Sequence, residues 1–196
     1  MKSNMLSAAR GKILFAMTLF GTIGLFVRAI PLPSSAIALF RAVISVIFLC
    51  VFVAVRGQRF SKVAIRRNFP LLCLSGVAIG INWILLFEAY RYTTVATATI
   101  CYYLAPVLVI LAAPFALGER LTRKKVCCVL LALVGTGILS GGADVTSLRG
   151  VLCGIGAAAF YACVMILNKK LKDISEYERT TVQLAAAAAA LLPYVL

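Results

Sequence analysis

Arg41, in Ala38-Leu-Phe-Arg-Ala42, is a cation set well inside an apolar run. A charge at the centre of a membrane span costs about 2.5 to 3.5 kcal/mol on insertion scales, so this guanidinium must reach water or meet a partner. It lies about five residues from the end of its run, and two readings stand: the stem snorkels outward, or the head lines an internal cavity. Glu88 sits at similar depth in the next run. It is either the partner of Arg41 or one half of a helical pair with Arg91, three residues on. Were solute movement coupled to protons, Glu88 is the carboxylate near a span that would carry them. Glu119 falls at a helix end, where capping and pairing with Arg120 or Arg123 are expected.

Asn82 and Trp83 precede Tyr90 by about two helical turns, roughly 10 Å. Tyr90 and Tyr92 suit the headgroup level, whereas Trp83 is too deep for it. Its indole needs a neighbouring helix or a water-filled cavity. Pro106 follows Tyr102 and Tyr103 in the fourth run; it removes one backbone hydrogen bond and crowds the Tyr102 carbonyl, so a kink is expected. The freed carbonyl and the two phenols suit the lining of a passage, although prolines also occur in membrane helices without that role. Tyr161 in the sixth run is a candidate of the same kind. The candidate substrate-cavity residues are therefore Arg41, Asn82, Trp83, Glu88, Tyr102, Tyr103 and Tyr161, with Pro106 as the kink.

Bond-making chemistry has no executor. The chain has no His and only six acids, unclustered, and no Ser or Cys stands near a base, which argues against a membrane enzyme such as a lipid-modifying transferase. All seven cysteines lie inside apolar runs, with no C-x-x-C spacing, and read as small hydrophobes. No catalytic residue, cofactor or metal is expected.

The elements that must position these residues are membrane helices. Of the 196 residues, 63% are apolar, and the mean hydropathy is +1.03, beyond the range of soluble domains. Seven apolar runs cover residues 13–30, 35–55, 69–87, 94–117, 126–142, 151–167 and 180–196. They are continuous rather than alternating, which selects helices over a membrane barrel. Fold class is thus all-α, a polytopic helix bundle. Pro31 and Pro33, Gly118-Glu119-Arg120 and Gly141-Gly-Ala-Asp144 punctuate the runs. Gly76/Gly80 and Gly150/Gly154 repeat at spacing four, the pattern that brings helix backbones close in lipid.

Basic residues crowd every second gap and are single in the gaps between: Lys2, Arg10 and Lys12; then Arg28 alone; then Arg56, Arg59, Lys62, Arg66 and Arg67; then Arg91 alone. Arg120, Arg123, Lys124 and Lys125 follow, then Arg149, then Lys169, Lys170, Lys172 and Arg179. Cytoplasmic loops hold the Lys and Arg, so the alternation implies a multi-pass protein of the cytoplasmic membrane with its N-terminus on the cytoplasmic side. A net charge of +14 in a soluble chain would suggest nucleic acid; here the anionic inner leaflet is the counter-charge, and membrane lipid, not nucleic acid, is the expected partner. Arg28-Ala-Ile-Pro31 does not resemble a signal-peptide cleavage site, so the first run is expected to stay.

Gly80-Ile-Asn-Trp83, Glu88-Ala-Tyr-Arg-Tyr92, Tyr102-Tyr-Leu-Ala-Pro106, Leu117-Gly-Glu-Arg-Leu121 and Gly135-Thr-Gly137, with the Pro31/Pro33 turn and Arg41, together resemble the EamA-type repeat of the drug/metabolite transporter superfamily. The resemblance implies ten helices in two inverted five-helix repeats, termini inside, and a central cavity for small metabolites or drugs. Residues 1–142 would be the first repeat and 149–196 an incomplete second one, Arg149-Gly150 echoing Arg10-Gly11. The run after Thr180 ends abruptly at Leu196, which suggests a fragment, with a dimer partner or a missing C-terminal half completing the cavity. The expected function is secondary transport of a small-molecule substrate; the alternative is a non-transporting membrane subunit or a truncated inactive fragment. The first span lacks the acid on which the four-helix exporters of the superfamily rely.

Overall fold

A computed structural model describes residues 2–57, 60–119, 122–140 and 147–195, and the described residues form an all-helical bundle with no strand. The helices are α1 (Lys2–Ala29), α2 (Ser34–Val55), α3 (Lys62–Tyr92), α4 (Val95–Tyr102), α5 (Ala105–Leu117), α6 (Arg123–Ser140), α7 (Leu148–Lys170) and α8 (Glu176–Val195). Ser34–Val55, Lys62–Tyr92, Val95–Leu117 and Leu148–Lys170 are long and apolar enough to cross a membrane. The other three expected runs are also helical: Ile13–Ala29 is a shorter apolar stretch, and α6 and α8 open on charged turns. The expected turn at Gly141–Asp144 lies outside the described residues, as do Arg120 and Leu196.

Met1–Pro31 and Leu32–Leu196 are separate compact units. In the first, the Thr18 and Thr22 hydroxyls donate to the Leu14 and Leu19 carbonyls at 2.9 and 2.7 Å, which satisfies them within the helix, as an apolar surrounding demands.

The second unit is built on α3, which packs on α7 and α8, while α2 covers α8. Two sequence patterns explain that centrality. The first is the glycine pairs. A Cβ on Gly76 would stand 2.4 Å from the Gln183 carbonyl oxygen and 2.6 Å from Ala186 Cβ, so α8 reaches its position only because Gly76 has no side chain. Gly80 meets only the end of Leu191, at 3.3 Å. Gly150 and Gly154 do the same for α7, against Thr93 (2.7 Å) and Cys101 Cβ (2.8 Å).

The second pattern is a polar stripe that the sequence reading missed. Asn68, Ser75 and Asn82 recur every seven residues, two helical turns apart on one face of α3, and all are buried. Asn68 donates to the Lys172 carbonyl (2.9 Å) and accepts from the Lys172 N–H (3.2 Å). Gln183 of α8 donates to Ser75 Oγ and to Asn168 Oδ1 of α7, both at 2.6 Å. Asn82 donates to the Ala157 carbonyl of α7 at 2.6 Å. Each level of the stripe fastens α3 to the 148–195 region, and breaking one leaves a buried group unpaired at about 1–3 kcal/mol.

Charged groups hold the ends of the helices that carry the cationic loops. Ser175 and Glu178 form a capping box at the start of α8: Ser175 Oγ accepts from the Glu178 N–H (3.3 Å), and the Ser175 N–H donates to the Glu178 carboxylate (3.0 Å). The same carboxylate accepts from the N–H of Ser61, the N-cap of α3. Burial pushes the Glu178 carboxyl up, but the bonds from Ser61 and Ser175 outweigh it and hold the group below its usual value. Arg67 pairs with Asp173 nearby, at 3.1 Å. Glu119 accepts from Lys125 (2.7 Å) and Lys169 (2.6 Å), which draw its pKa down to about 2. The expected pairing of Glu119 with Arg123 is thus replaced by two lysines, one of them brought in by the end of α7.

Helix bounds differ from the apolar runs where polar chemistry intervenes. α3 begins at Lys62, seven residues before its run, because Ser61 caps it by accepting from the Ala64 N–H (3.3 Å). The fourth span is two helices rather than one kinked helix. α4 ends at Tyr102, a tight bond from the Leu104 N–H to the Cys101 carbonyl (3.2 Å) turns the chain, and Pro106 sits in the first turn of α5, where its missing N–H is harmless. Gly118, at φ +65°, then closes α5, as the sequence anticipates.

Candidate substrate site

Arg41 on α2 meets Trp83 on α3. Its guanidinium carbon lies 4.4 Å from the centre of the indole, a cation–π geometry. The helix puts Arg41 one turn past the close-packed Ala36, Ala38 and Leu39, so its head enters the space beside α3. Tyr90 and Tyr102 are its other electrostatic neighbours. No carboxylate pairs with Arg41 among the described residues, so the expected pair with Glu88 does not form.

Asn82, Tyr102 and Tyr161 extend the cluster. The Tyr102 ring stacks on Tyr161 of α7, centroids 5.3 Å apart, and its hydroxyl interacts with the Asn82 side chain. Asn82 is held by Ala157, so one amide both fixes α7 and orients a phenol. Tyr90 is buried within the protein and interacts with Thr99. The break between α4 and α5 separates the two neighbouring tyrosines: Tyr102 turns into this cluster, whereas Tyr103 is 61% exposed. Five candidates thus come together, Arg41, Asn82, Trp83, Tyr102 and Tyr161, and Tyr90 joins them. Chemically, the arrangement offers one cation, several π faces and a few hydroxyl and amide groups, with no base or nucleophile among them.

Glu88 stands elsewhere. It lines a cavity of about 390 Å³ with Ser34, Tyr92, Arg149 and Tyr194, at the opposite end of α3 from Ser61. The expected pair with Arg91 does not form: Arg91 donates to the Leu32 carbonyl in the Pro31–Pro33 turn. Arg149 stacks its guanidinium 4.2 Å from the centre of the Tyr92 ring. Gln183 and Asn168 carry no local sequence signal of their role, since their partners are distant in the chain. The Ser175/Glu178 box was legible as Ser175-Glu-Tyr-Glu178, the S-x-x-E signature of a helix start.

Comparison with known proteins gives this geometry a family. Residues 11–141 match the EamA-like transporter family. The chain is 30% identical over 194 residues to the uncharacterized transporter YxxF of Bacillus subtilis, covering 96% of this chain and 62% of that protein. It is 31% identical over 189 residues to an uncharacterized transporter of Archaeoglobus fulgidus, covering 94% and 65%. Similarity to the pseudopaline exporter CntI of Pseudomonas aeruginosa is 28% over 104 residues, covering 53% and 35%. A solved crystal structure shares the fold at a TM-score of 0.68 and 21% identity, over 92% of this chain and 64% of that one. The chain spans less than two thirds of the length of these relatives. With the match running from the first helix through the sixth, a multi-pass helical bundle around it and transporters as its relatives, this chain belongs to the EamA-like transporter family.

Proposed function

We propose that this chain acts in secondary transport of small organic metabolites or drugs across the cytoplasmic membrane, with its N-terminus inside. The Arg41–Trp83 cluster is the substrate-contacting site in this reading. One observation carries it. A guanidinium within a span is held over an indole beside two phenols and is not neutralised by an acid among the described residues, so its charge stays available to an anionic or aromatic group of a passing solute. The relatives support transport as the activity, and one of them is named an exporter, which favours outward movement.

Residues 1–142 form one repeat and 149–196 the beginning of a second. The polar stripe of α3 is then where the two repeats are joined. The test is counterflow in proteoliposomes carrying the full-length protein, with amino acids, nucleosides and cationic drugs as trial solutes. At least one solute should exchange faster than into empty vesicles, and Arg41→Gln should abolish that exchange. No exchange of any solute would favour a non-transporting membrane subunit; exchange untouched by Arg41→Gln would move the site elsewhere.

A further inference from the structure

Between α5 and α6 runs a groove of about 230 Å³, lined by Ile110 and Leu111 on one helix and by Val126, Val129 and Leu130 on the other. Every lining residue is aliphatic, and Leu111, Val126 and Leu130 are 50%, 43% and 56% exposed, so the groove opens sideways to its surroundings. An apolar slot stays dry, and in a bilayer hydrocarbon fills it. Lipid tails are as apolar as these side chains, however, so the groove shapes a chain without choosing which lipid it belongs to. Selection must come from the mouth.

Helix geometry sorts the charges there. Arg123, Val126 and Leu130 follow one another at spacings of three and four along one face of α6, so Arg123 stands one turn, about 5 Å, beyond the end of the groove. Lys124 falls on the opposite face, and Lys125 turns to the Glu119 carboxylate, which it shares with Lys169. Arg123 is exposed and forms no ion pair among the described residues, because the acid nearest in sequence is already held by those two lysines. Beside it, the exposed Thr122 accepts from the Lys125 N–H at 3.3 Å through its hydroxyl oxygen, which leaves the O–H proton to donate outward. On the other helix Gly118 lies two turns beyond Leu111, and a Cβ there would meet nothing within 4 Å among the described residues. The mouth is open and cationic.

We infer that this groove holds one acyl chain of an anionic phospholipid of the phosphatidylglycerol type, whose phosphate is bound by the Arg123 guanidinium and the Thr122 hydroxyl. Arg suits that task, since its planar fork meets two phosphate oxygens at once. A zwitterionic lipid brings the same phosphate with a tethered ammonium, which competes with Arg123 and lowers the gain. Lys124 is equal in charge and adjacent in sequence, yet takes no part because it faces away. The inference rests on the chain lying in a membrane and not on transport.

Photolabelling of the purified full-length protein in detergent tests it, with a phosphatidylglycerol that carries a diazirine in its acyl chain. The label should map to residues 110–111 and 126–130. Unlabelled phosphatidylglycerol should displace it at a concentration about fivefold lower than phosphatidylcholine of the same chains does, equivalent to about 1 kcal/mol, the scale of one Arg at an anionic surface. Arg123→Gln should erase that difference and Lys124→Gln should leave it, both variants eluting at the volume of the unaltered protein. Val126→Phe, which fills the groove, should lower the labelling itself. Label spread evenly over the spans, or a preference lost in Lys124→Gln as fully as in Arg123→Gln, means diffuse attraction to charge and overturns the site, as does equal displacement by the two lipids. Label excluded from both segments in a protein that elutes as a dimer gives the groove to a second copy and also overturns it. Position and headgroup preference are read first on the unaltered protein, so a variant that fails to fold cannot hide either result.

Discussion

A guanidinium over an indole is a sharper constraint than a charge alone. Lys keeps the charge of Arg41 but lacks the flat surface that stacks on Trp83. Arg41→Lys should therefore lower proteoliposome exchange by roughly two- to thirtyfold, the equivalent of about 0.5–2 kcal/mol, and a double-mutant cycle with Trp83→Leu should show the two losses are not additive. Full additivity would mean that the contact carries nothing. Glu178 makes a different, pH-dependent contribution. Its hydrogen bonds hold its folded pKa below the unfolded value, so the stability it adds is complete above the ordinary carboxylate range and disappears as pH falls through the folded pKa. Glu178→Gln should melt below the unaltered protein at pH 7, by an amount on the scale of a helix cap, about 1–2 kcal/mol, with the gap closing under acid. Glu119, drawn down by Lys125 and Lys169, titrates in both proteins and drops out of the difference. A gap that stays constant down to pH 3 would show that the carboxylate charge plays no part.

At the level of helices, two glycines four residues apart have different tasks. Ala at position 76 drives its methyl into the backbone of α8, where nothing can yield, and should destabilise by about 1–3 kcal/mol. Ala at position 80 meets only the flexible end of Leu191, and relief of the glycine penalty, about 1 kcal/mol in a helix, offsets the crowding. Thermal melting in detergent should rank Gly76→Ala well below Gly80→Ala, and equal melting would deny the close approach of α3 and α8. The spacing of four made these glycines legible from the sequence, since small-residue repeats are a pattern of composition. The stripe of Asn68, Ser75 and Asn82 was not, because its partners Lys172, Gln183 and Ala157 lie roughly 75 to 110 residues away and only the folded chain brings them near. The break at Tyr103 lay between these cases: Pro106 announced an irregularity, but where the chain turns was set by the Cys101 carbonyl four residues upstream of the proline's first helical turn.

For the molecule as a whole, hydropathy and charge made the bundle legible because both are read along the chain. Seven apolar runs correspond to helical segments, and the resemblance built on Trp83, Tyr102 and Pro106 agrees with the family match over residues 11–141. The candidate site was legible in part. Arg41, Asn82, Trp83, Tyr102 and Tyr161 were each odd for their depth or type, and the fold gathers them; Glu88 was chosen on the same ground, yet it joins Arg149 instead. Depth along a run says how far a side chain lies from water, but not which way it points around the helix axis. The assignment of α2's cationic end to the cytoplasm rests on the alternation of Lys and Arg. Paired compartment reporters fused at Gln58 and at Asp144 test that most directly. The cytoplasmic reporter should be active at Gln58 and silent at Asp144, with the external reporter giving the reverse; both positions reporting the same side would contradict the threading of this chain through the membrane.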